Sequence, residues 1–379
     1  MQEKIIMKYG ELWLKSEYVR SRFIRRLAEN LRRMLKANGI NFRLEVARDM
    51  MILETENKKA VDTLGKVFGI SWFAKARETK PDMKSIEKEV LSLARKIGNN
   101  ESFAIRASRS EKSFDFTSKE IENEIGRKIK RRVDLTNPDF TIFVEVKKTK
   151  AYVYSEKVRS LGGMPVGVSG KVLSLLSGGI DSAVASWMLM KRGCSVDFVY
   201  FHPEVFTSEK NRERVLDILK KLREYSPEKL NLYIVPFGKI QEEIIKNCER
   251  RQTCVLCRRM MYRISEMLAR ELDCKAIATG ENLAQVASQT LDNIFVENEV
   301  ISIPVFRPLL GFDKEETMIL AEKIGTYDIS IQTHGCCTIT PKKPATKARL
   351  DFILKEEGRI KDINTLLKNI INKRERFVI

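Results

Sequence analysis

An α/β protein is predicted, in which a parallel-sheet domain follows two small α+β domains. Three observations carry this expectation. From residue 171 onward, apolar strands alternate with amphipathic helices, the pattern of a parallel sheet covered on both faces. An apolar strand from Lys171 runs into the small-residue turn Ser177-Gly178-Gly179, and a helix opens near Asp181. Residues 1–158 instead break into short strand–helix–strand blocks crowded with arginine and lysine. A chain of 379 residues has room for two or three such cores.

The elements follow in order. Ile5-Ile6-Met7 reads as a strand, and Glu17 to Asn38 as a helix. Its Phe23, Leu27, Leu31 and Leu35 recur at four-residue spacing, and Gly39 sits where a C′ glycine belongs. Strands at 42–46 and 51–53 complete a first domain over 1–55, of ferredoxin-like kind. A second block, 56–158, has helix patterns at 57–67, 82–97 and 117–132 and strands near 70–76, 101–107, 140–146 and 151–154. Residues 159–170 are rich in glycine and read as a linker or mobile lead-in loop. The third domain, 171–379, alternates strands at 171–176, 195–201, 230–236 and 275–279 with helices at 181–192, 208–225, 238–248 and 256–272. A Lys-rich tail from Lys368 to Arg376 reads as helical.

Composition narrows the function classes. Lys and Arg number 69 against 51 Asp and Glu, a formal +18, which favours a polyanionic partner. No apolar run approaches the ~18–20 residues of a membrane span, and charges interrupt the N-terminal apolar residues. A cytoplasmic protein without a membrane partner is the expectation. Seven cysteines without a secretory signal point to metal binding or sulfur chemistry rather than a disulfide framework. Only His202 and His334 are available for histidine chemistry.

The turn at 177–182, SGGIDS, lets several backbone N–H groups approach a phosphate, with the positive end of a helix behind them. It is not a Walker A loop, since no lysine closes it. It resembles the PP-loop of the ATP pyrophosphatase superfamily, whose domain is of adenine nucleotide alpha hydrolase-like fold. Upstream, FAIRASRSEKSF (103–114), EIGRKIKRR (124–132) and FVEVKKTKAYVYSEK (143–157) together resemble a THUMP domain, an RNA-binding module of tRNA-modifying enzymes. Arg106, Arg109, Lys112, Arg127, Lys128, Arg131 and Arg132 are its candidate RNA contacts.

Further stretches extend the resemblance: FHPEVFTSEK (201–210), RRMMYRIS (258–265), AIATGENLAQVASQTLDNI (276–294), the run from Arg307 to Ile331, and CCTITPKKPATKA (336–348). With the basic N-terminal half, they resemble the tRNA 4-thiouridine synthetase family over residues 1–360 or so. That resemblance implies ATP-dependent activation of O4 of uridine 8 in tRNA and its replacement by sulfur. Other readings are a PP-loop thiolase for another tRNA base, a small-molecule ligase, or an RNA-binding protein with a degenerate nucleotide fold.

The resemblance also implies roles. Ser177, Gly178, Gly179 and Ser182 would cradle the pyrophosphate portion of ATP, and Asp181 would hold Mg²⁺ or the loop geometry. Leu176, Phe201 and His202 would frame the adenine, Gly280 would leave room for the nucleotide, and Gln289 would hydrogen-bond it. Arg258 would add charge near the phosphates. Met260-Met261 reads as core packing, and His202 could equally be a core histidine.

Cys336 matches the cysteine that carries a persulfide in the family, with the resolving thiol drawn from elsewhere than adjacent Cys337. Two departures stand out. Many relatives end in a rhodanese domain with the sulfur-delivering cysteine, whereas no cysteine follows Cys337 here, so the donor would be a cysteine desulfurase or free sulfide. That departure also puts in doubt the thiamine-pathway role associated with the domain. The second departure is Cys254-Val-Leu-Cys257. With Cys336 it could ligate an iron–sulfur cluster; it could also be a redox pair or a zinc half-site. Cys194, Cys248 and Cys274 read as plain buried residues. A homodimer that carries one tRNA across two subunits is compatible with the chain length.

Overall fold

The computed structural model describes residues 4–111, 114–206, 209–332 and 339–379. It divides into two compact units, Met1–Gly163 and Met164–Ile379.

The first unit runs β1 (Lys4–Tyr9), α1 (Glu17–Ala37), β2 (Arg43–Val46), β3 (Met50–Glu54), α2 (Lys59–Leu64) and β4 (Ile70–Thr79). It continues through α3 (Met83–Ala94), β5 (Ser102–Arg109), α4 (Ser118–Gly126), β6 (Arg132–Val133), β7 (Phe140–Val146), β8 (Ala151–Tyr154) and β9 (Val158–Arg159). The strands form one sheet in the order β2-β3-β1-β4-β8-β7-β5-β6, with β9 beside β4. As the spacing predicts, α1 buries Phe23, Leu27, Leu31 and Leu35, while Arg22, Arg25 and Arg33 stay exposed.

The ten-residue strand β4 is shared by the two halves of this sheet. Its residues 70–76 pair with β1, and its residues 77–79 pair with β8. The boundary expected at residue 55 therefore does not coincide with a break between sheets. The helix expected over 117–132 is shorter, because Gly126 ends α4 and Arg132–Val133 joins β5 as a strand.

One sheet face carries opposed charges over a small core of Ile6, Ile52, Tyr152 and Tyr154. Lys8 bridges Asp49 at 3.0 Å and Glu145 at 2.7 Å. Lys147 pairs with Asp49, and Lys150 lies 3.2 Å from Glu78. Burial would raise the Asp49 carboxyl, but Lys147 and Lys8 outweigh it and hold it below the usual range. These lysines, part of the basic pattern in sequence, are thus neutralised at home.

The second unit holds β10 (Lys171–Leu175), α5 (Ile180–Lys191), β11 (Ser195–His202), α6 (Glu209–Arg223), β12 (Asn231–Pro236), α7 (Gly238–Asn247) and α8 (Thr253–Glu271). There follow β13 (Ala276–Ala278), α9 (Leu291–Asn298), β14 (Val305–Phe306), α10 (Lys314–Ile324), α11 (Tyr327–Ser330), α12 (Leu350–Glu357), α13 (Ile363–Asn372) and β15 (Glu375–Val378). The sheet order is β14-β13-β10-β11-β12-β15, parallel throughout except for the last strand.

Two expectations need correction. The tail is not helical to its end: residues 375–378 pair antiparallel with β12 and close that edge of the sheet. The segment 159–170 is not a loose lead-in. Its first half is hydrogen-bonded within the first unit, Gly69 N donating to Gly162 O at 2.7 Å. Its second half is bound within the second, where Met164 N donates to Lys191 O and Gly167 N to Gly193 O. Backbone hydrogen bonds, invisible to composition, decide both cases.

Candidate active site

The β10–α5 turn lies at the carboxyl end of the parallel sheet, where helix N-termini gather and ligands bind such folds. Leu173 and Val172 bury β10 in the core, and the chain then turns through Ser177 to Gly179, which caps α5. The turn is braced from within. Ser177 N donates to Ser182 Oγ at 3.0 Å, the two serine hydroxyls lie 3.0 Å apart, and Gly179 N donates to Ser177 Oγ at 3.3 Å. Much of what the two serine side chains do is therefore to shape the loop.

A cavity of about 400 Å³ opens beside this turn. Of the expected nucleotide-site residues, Leu176, Ser177, Gly179, Ser182, Phe201, Arg258, Gly280 and Gln289 line it, as does Asp181. Gly178 and His202 do not. A Cβ on Gly178 would lie 2.5 Å from Arg214 Nε, so that side of the loop is filled by an arginine. The His202 ring sits 5.7 Å from the Tyr200 ring, with Nε2 3.6 Å from Glu209, and Tyr200 takes the cavity wall instead. Gly280 borders the cavity, but a Cβ there would strike Ser182 N at 2.5 Å and Asp181 C at 2.6 Å. Its missing side chain thus makes room for the first turn of α5 itself. Met260 is core, whereas Met261, expected to pack beside it, reaches the cavity wall.

Asp181 is fixed from two sides. Lys314 Nζ, at the start of α10, donates to Oδ1 at 2.8 Å, and Gln285 Nε2 donates to Oδ2 at 3.0 Å. Neither partner was assigned a role from sequence, although both lie in the stretches 276–294 and 307–331 that carry the family resemblance.

The floor of the cavity is a buried charge cluster. Glu281 is 2% exposed and accepts hydrogen bonds from Thr279 Oγ1 at 2.9 Å, Tyr262 OH at 2.8 Å, Arg258 Nη1 at 2.5 Å and Arg307 Nε at 2.6 Å. Burial alone would raise this carboxyl; Arg258 and Arg307 outweigh it and hold it low. Fully buried Glu297, with Oε2 3.8 Å from Arg258 Nε, is pushed up by burial and by the neighbouring Glu281 charge, against the pull of Arg258. Arg258 is thus aimed at the cavity by an anion beneath it. Sequence reasoning found Arg258 and Gly280, but gave no role to Glu281, the carboxylate that orients the arginine.

The next residue faces the other way. Arg259, fully buried, makes a bidentate pair with Glu357 at 2.7 and 3.1 Å and ties α8 to α12.

Cys254 and Cys257, one turn apart at the start of α8, both line the cavity, and so do Ile339 and Thr340. Cys336 and Cys337 lie outside the described residues, as does Lys112. Among the described residues no cluster of three or more metal-ligating side chains occurs. Cys194, Cys248 and Cys274 are buried as expected. Burial pushes the Cys248 thiol up to about 11 and the Cys274 thiol to about 12.

In the first unit, Arg106 and Arg109 project from β5, where Arg106 donates to Leu135 O and Arg109 to Phe116 O. Exposed Arg127 and Lys128 follow α4, with Lys128 2.7 Å from Glu87. Arg131 reaches Asn99 Oδ1 at 3.1 Å, and Arg132 on β6 lies 3.7 Å from Asp139. The β5–β6 pairing brings these two groups to one edge of the sheet.

Comparison with known proteins gives consistent matches along the chain. The ThiI family, described as thiamine biosynthesis protein, matches residues 167–361; the THUMP domain matches 80–156, and the ThiI ferredoxin-like domain 4–74. A probable tRNA sulfurtransferase of Caldanaerobacter subterraneus is 40% identical, over 95% of this chain and 96% of that one. Its counterpart in Methanosarcina acetivorans is 38% identical, over 94% and 89%. A crystal structure of a 4-thiouridine synthetase–RNA complex with bound ATP superimposes with a TM-score of 0.89 at 36% identity, both chains covered in full. A protein from Pyrococcus horikoshii gives a TM-score of 0.67 at 26% identity, over 85% of this chain and 99% of that one. No helix among the described residues is long and apolar enough to cross a membrane.

Proposed function

The chain belongs to the tRNA sulfurtransferase family of ThiI type, and from that premise we infer that it is an ATP-dependent tRNA thiolase that converts uridine 8 to 4-thiouridine. The observation that carries this reading is the convergence, in one cavity, of the SGGIDS turn, Arg258 and two cysteines. A small-molecule ligase would have no use for the thiols or for an upstream RNA-binding module.

The uridine O4 attacks the α-phosphate of ATP, and pyrophosphate leaves. The N–H groups at the start of α5 and the Arg258 guanidinium stabilise the charge that develops on the phosphate. Leu176, Tyr200 and Phe201 supply an apolar wall for a base. Asp181 fits Mg²⁺, which commonly takes one carboxylate together with phosphate oxygens, once exposed Lys314 swings off it. The metal would neutralise phosphate charge there.

A sulfur nucleophile then attacks C4 and AMP departs. With a persulfide on Cys336, the terminal sulfur adds to C4, and a second thiol attacks the bridging sulfur; 4-thiouridine leaves and a disulfide remains. Cys254 and Cys257 are candidates for that second thiol, since they line the cavity. The same two thiols, with Cys336, would supply three ligands to an iron–sulfur cluster, which would offer an open iron to hydrosulfide. Sulfur reaches the persulfide route by transfer from the persulfide of a cysteine desulfurase, and the cluster route as free sulfide. Arg106, Arg109, Arg127, Lys128, Arg131 and Arg132, with Lys112, hold the tRNA backbone.

The test incubates unmodified tRNA with ATP and, in separate arms, a cysteine desulfurase with cysteine or free sulfide, and reads AMP, pyrophosphate and the nucleosides by mass. The wild-type protein yields 4-thiouridine together with AMP and pyrophosphate, and Cys336→Ala releases pyrophosphate without 4-thiouridine. Normal thiolation by that variant would refute the role of Cys336. Iron and acid-labile sulfide in anaerobically purified protein, lost in Cys254→Ala, mark the cluster route; iron-free active protein marks the persulfide route.

A further inference from the structure

We propose that Arg214 binds the distal phosphates of ATP, an inference that rests on the ATP-dependent reading above. Neither the SGGIDS motif nor any of the residues expected at the site points to it. Arg214 lies in α6, and its guanidinium packs directly against the loop. An ideal Cβ on Gly178 would lie 2.5 Å from Nε and 2.9 Å from both Cζ and Nη2. Gly178 is therefore a glycine because an arginine occupies the space beside it.

The guanidinium is held at its two outer nitrogens. Nη1 donates to Gln332 O at 2.6 Å, and Nη2 donates to Asn211 Oδ1. Nε is different: it is shielded from solvent and has no acceptor among the described residues. Nor does any carboxylate among the described residues pair with Arg214. Arg212, two positions earlier, pairs with Glu209 at 3.5 Å and Glu375 at 2.6 Å. A cation without a counter-charge, with a shielded donor left over, is costly to keep unless a ligand supplies the acceptor. An arginine fork suits a phosphate oxygen, and the loop beside it is the one whose N–H groups face phosphate.

The position selects which phosphates. The cavity that takes the nucleoside and the reacting α-phosphate is lined by Ser177, Gly179 and Ser182, and neither Gly178 nor Arg214 borders it. Arg214 flanks the loop away from that cavity. Only the part of ATP that extends past the loop, which leaves as pyrophosphate, can reach it.

The test compares affinities of the full-length protein for ATP, inorganic pyrophosphate and AMP. Arg214→Gln is expected to weaken ATP and pyrophosphate about tenfold, the cost of a charge-assisted phosphate contact, and AMP by less than about twofold. Gly178→Ala is expected to give the same pattern, because its methyl displaces the guanidinium, a flexible side-chain end. The double variant should be no weaker than either single one. Parallel losses for all three ligands, or no loss for any, would overturn the proposal. Should Arg214→Gln fail to fold, Arg214→Lys keeps the charge without the fork and must still separate pyrophosphate from AMP. Wild-type protein that binds neither ATP nor pyrophosphate would instead remove the ATP-dependent reading itself.

Discussion

The two ends of the parallel sheet in the second unit both carry hollows, and the larger one is at the wrong end for chemistry. The amino-end hollow, about 520 Å³, is bordered by Lys171, Asp197, Asn231 and Lys275. Several of its charges pair with each other: Lys171 meets Asp197 at 2.7 Å, Asn231 donates to Asp197 at 2.8 Å, and Lys275 pairs with Asp273 at 2.6 Å. The carboxyl-end cavity is smaller, about 400 Å³, yet it collects a helix N-terminus, an arginine aimed by a buried carboxylate, aromatic walls and two thiols. In a parallel sheet every crossover helix begins at the carboxyl edge, so free N–H groups gather there. Volume does not mark a site; the chemistry gathered at the helix N-termini does.

That contrast can be broken at either end. The largest effect is expected for Asp181→Ala, which should lower thiolation by about 100-fold or more while tRNA binding persists. Retained activity would remove the loop from the chemistry. Next comes Gly280→Ala, whose methyl meets backbone atoms of Ser182 and Asp181 at 2.5 and 2.6 Å. Because backbone cannot swing aside, the start of α5 must move, and ATP use should fall by about 10- to 100-fold. Unchanged steady-state kinetics would show that the loop tolerates the shift.

A third effect separates the thiols of the two ends. Site-resolved alkylation near neutral pH should label half-buried Cys254 about tenfold faster than Cys274, whose thiol burial pushes up to about 12. ATP should slow only the former; equal labelling would erase the distinction.

The smallest effect lies at the amino end. Lys171→Met should cost about 1–2 kcal/mol in denaturant unfolding and leave thiolation within about twofold. Burial opposes the charge on Lys171, but Asp197 outweighs it and raises the pKa above 10.5. The stabilisation is thus fully present below that value and is lost as pH rises through the folded pKa. A difference between variant and wild type that vanishes at neutral pH would contradict the pairing.

The fold was largely legible, because period-2 and period-3.6 patterning fixes strands and helices wherever one face is buried. The PP-loop could be read because a strand, small residues and a helix start are contiguous in sequence. What escaped depends on residues far apart in the chain. Lys314 meets Asp181 across 133 positions, and Glu281 gathers Arg258, Tyr262 and Arg307 from two other segments. Lys147 is a further case: it lies in the basic stretch 143–157, and its partner Asp49 is 98 positions away. Strand β15 was missed since four residues of mixed polarity carry little signal without the partner edge.

That last strand also matters for how the protein is handled. Leu230 and Ile379 exchange backbone hydrogen bonds at 2.8 and 3.0 Å, so the ladder of β12 is occupied up to residue 379. Trimming residues 375–379 would bare an edge whose neighbours Leu232, Tyr233 and Ile234 are strongly apolar, a template for association between chains. A shortened variant should therefore be judged first by its solubility, since precipitation would mimic loss of enzymatic function.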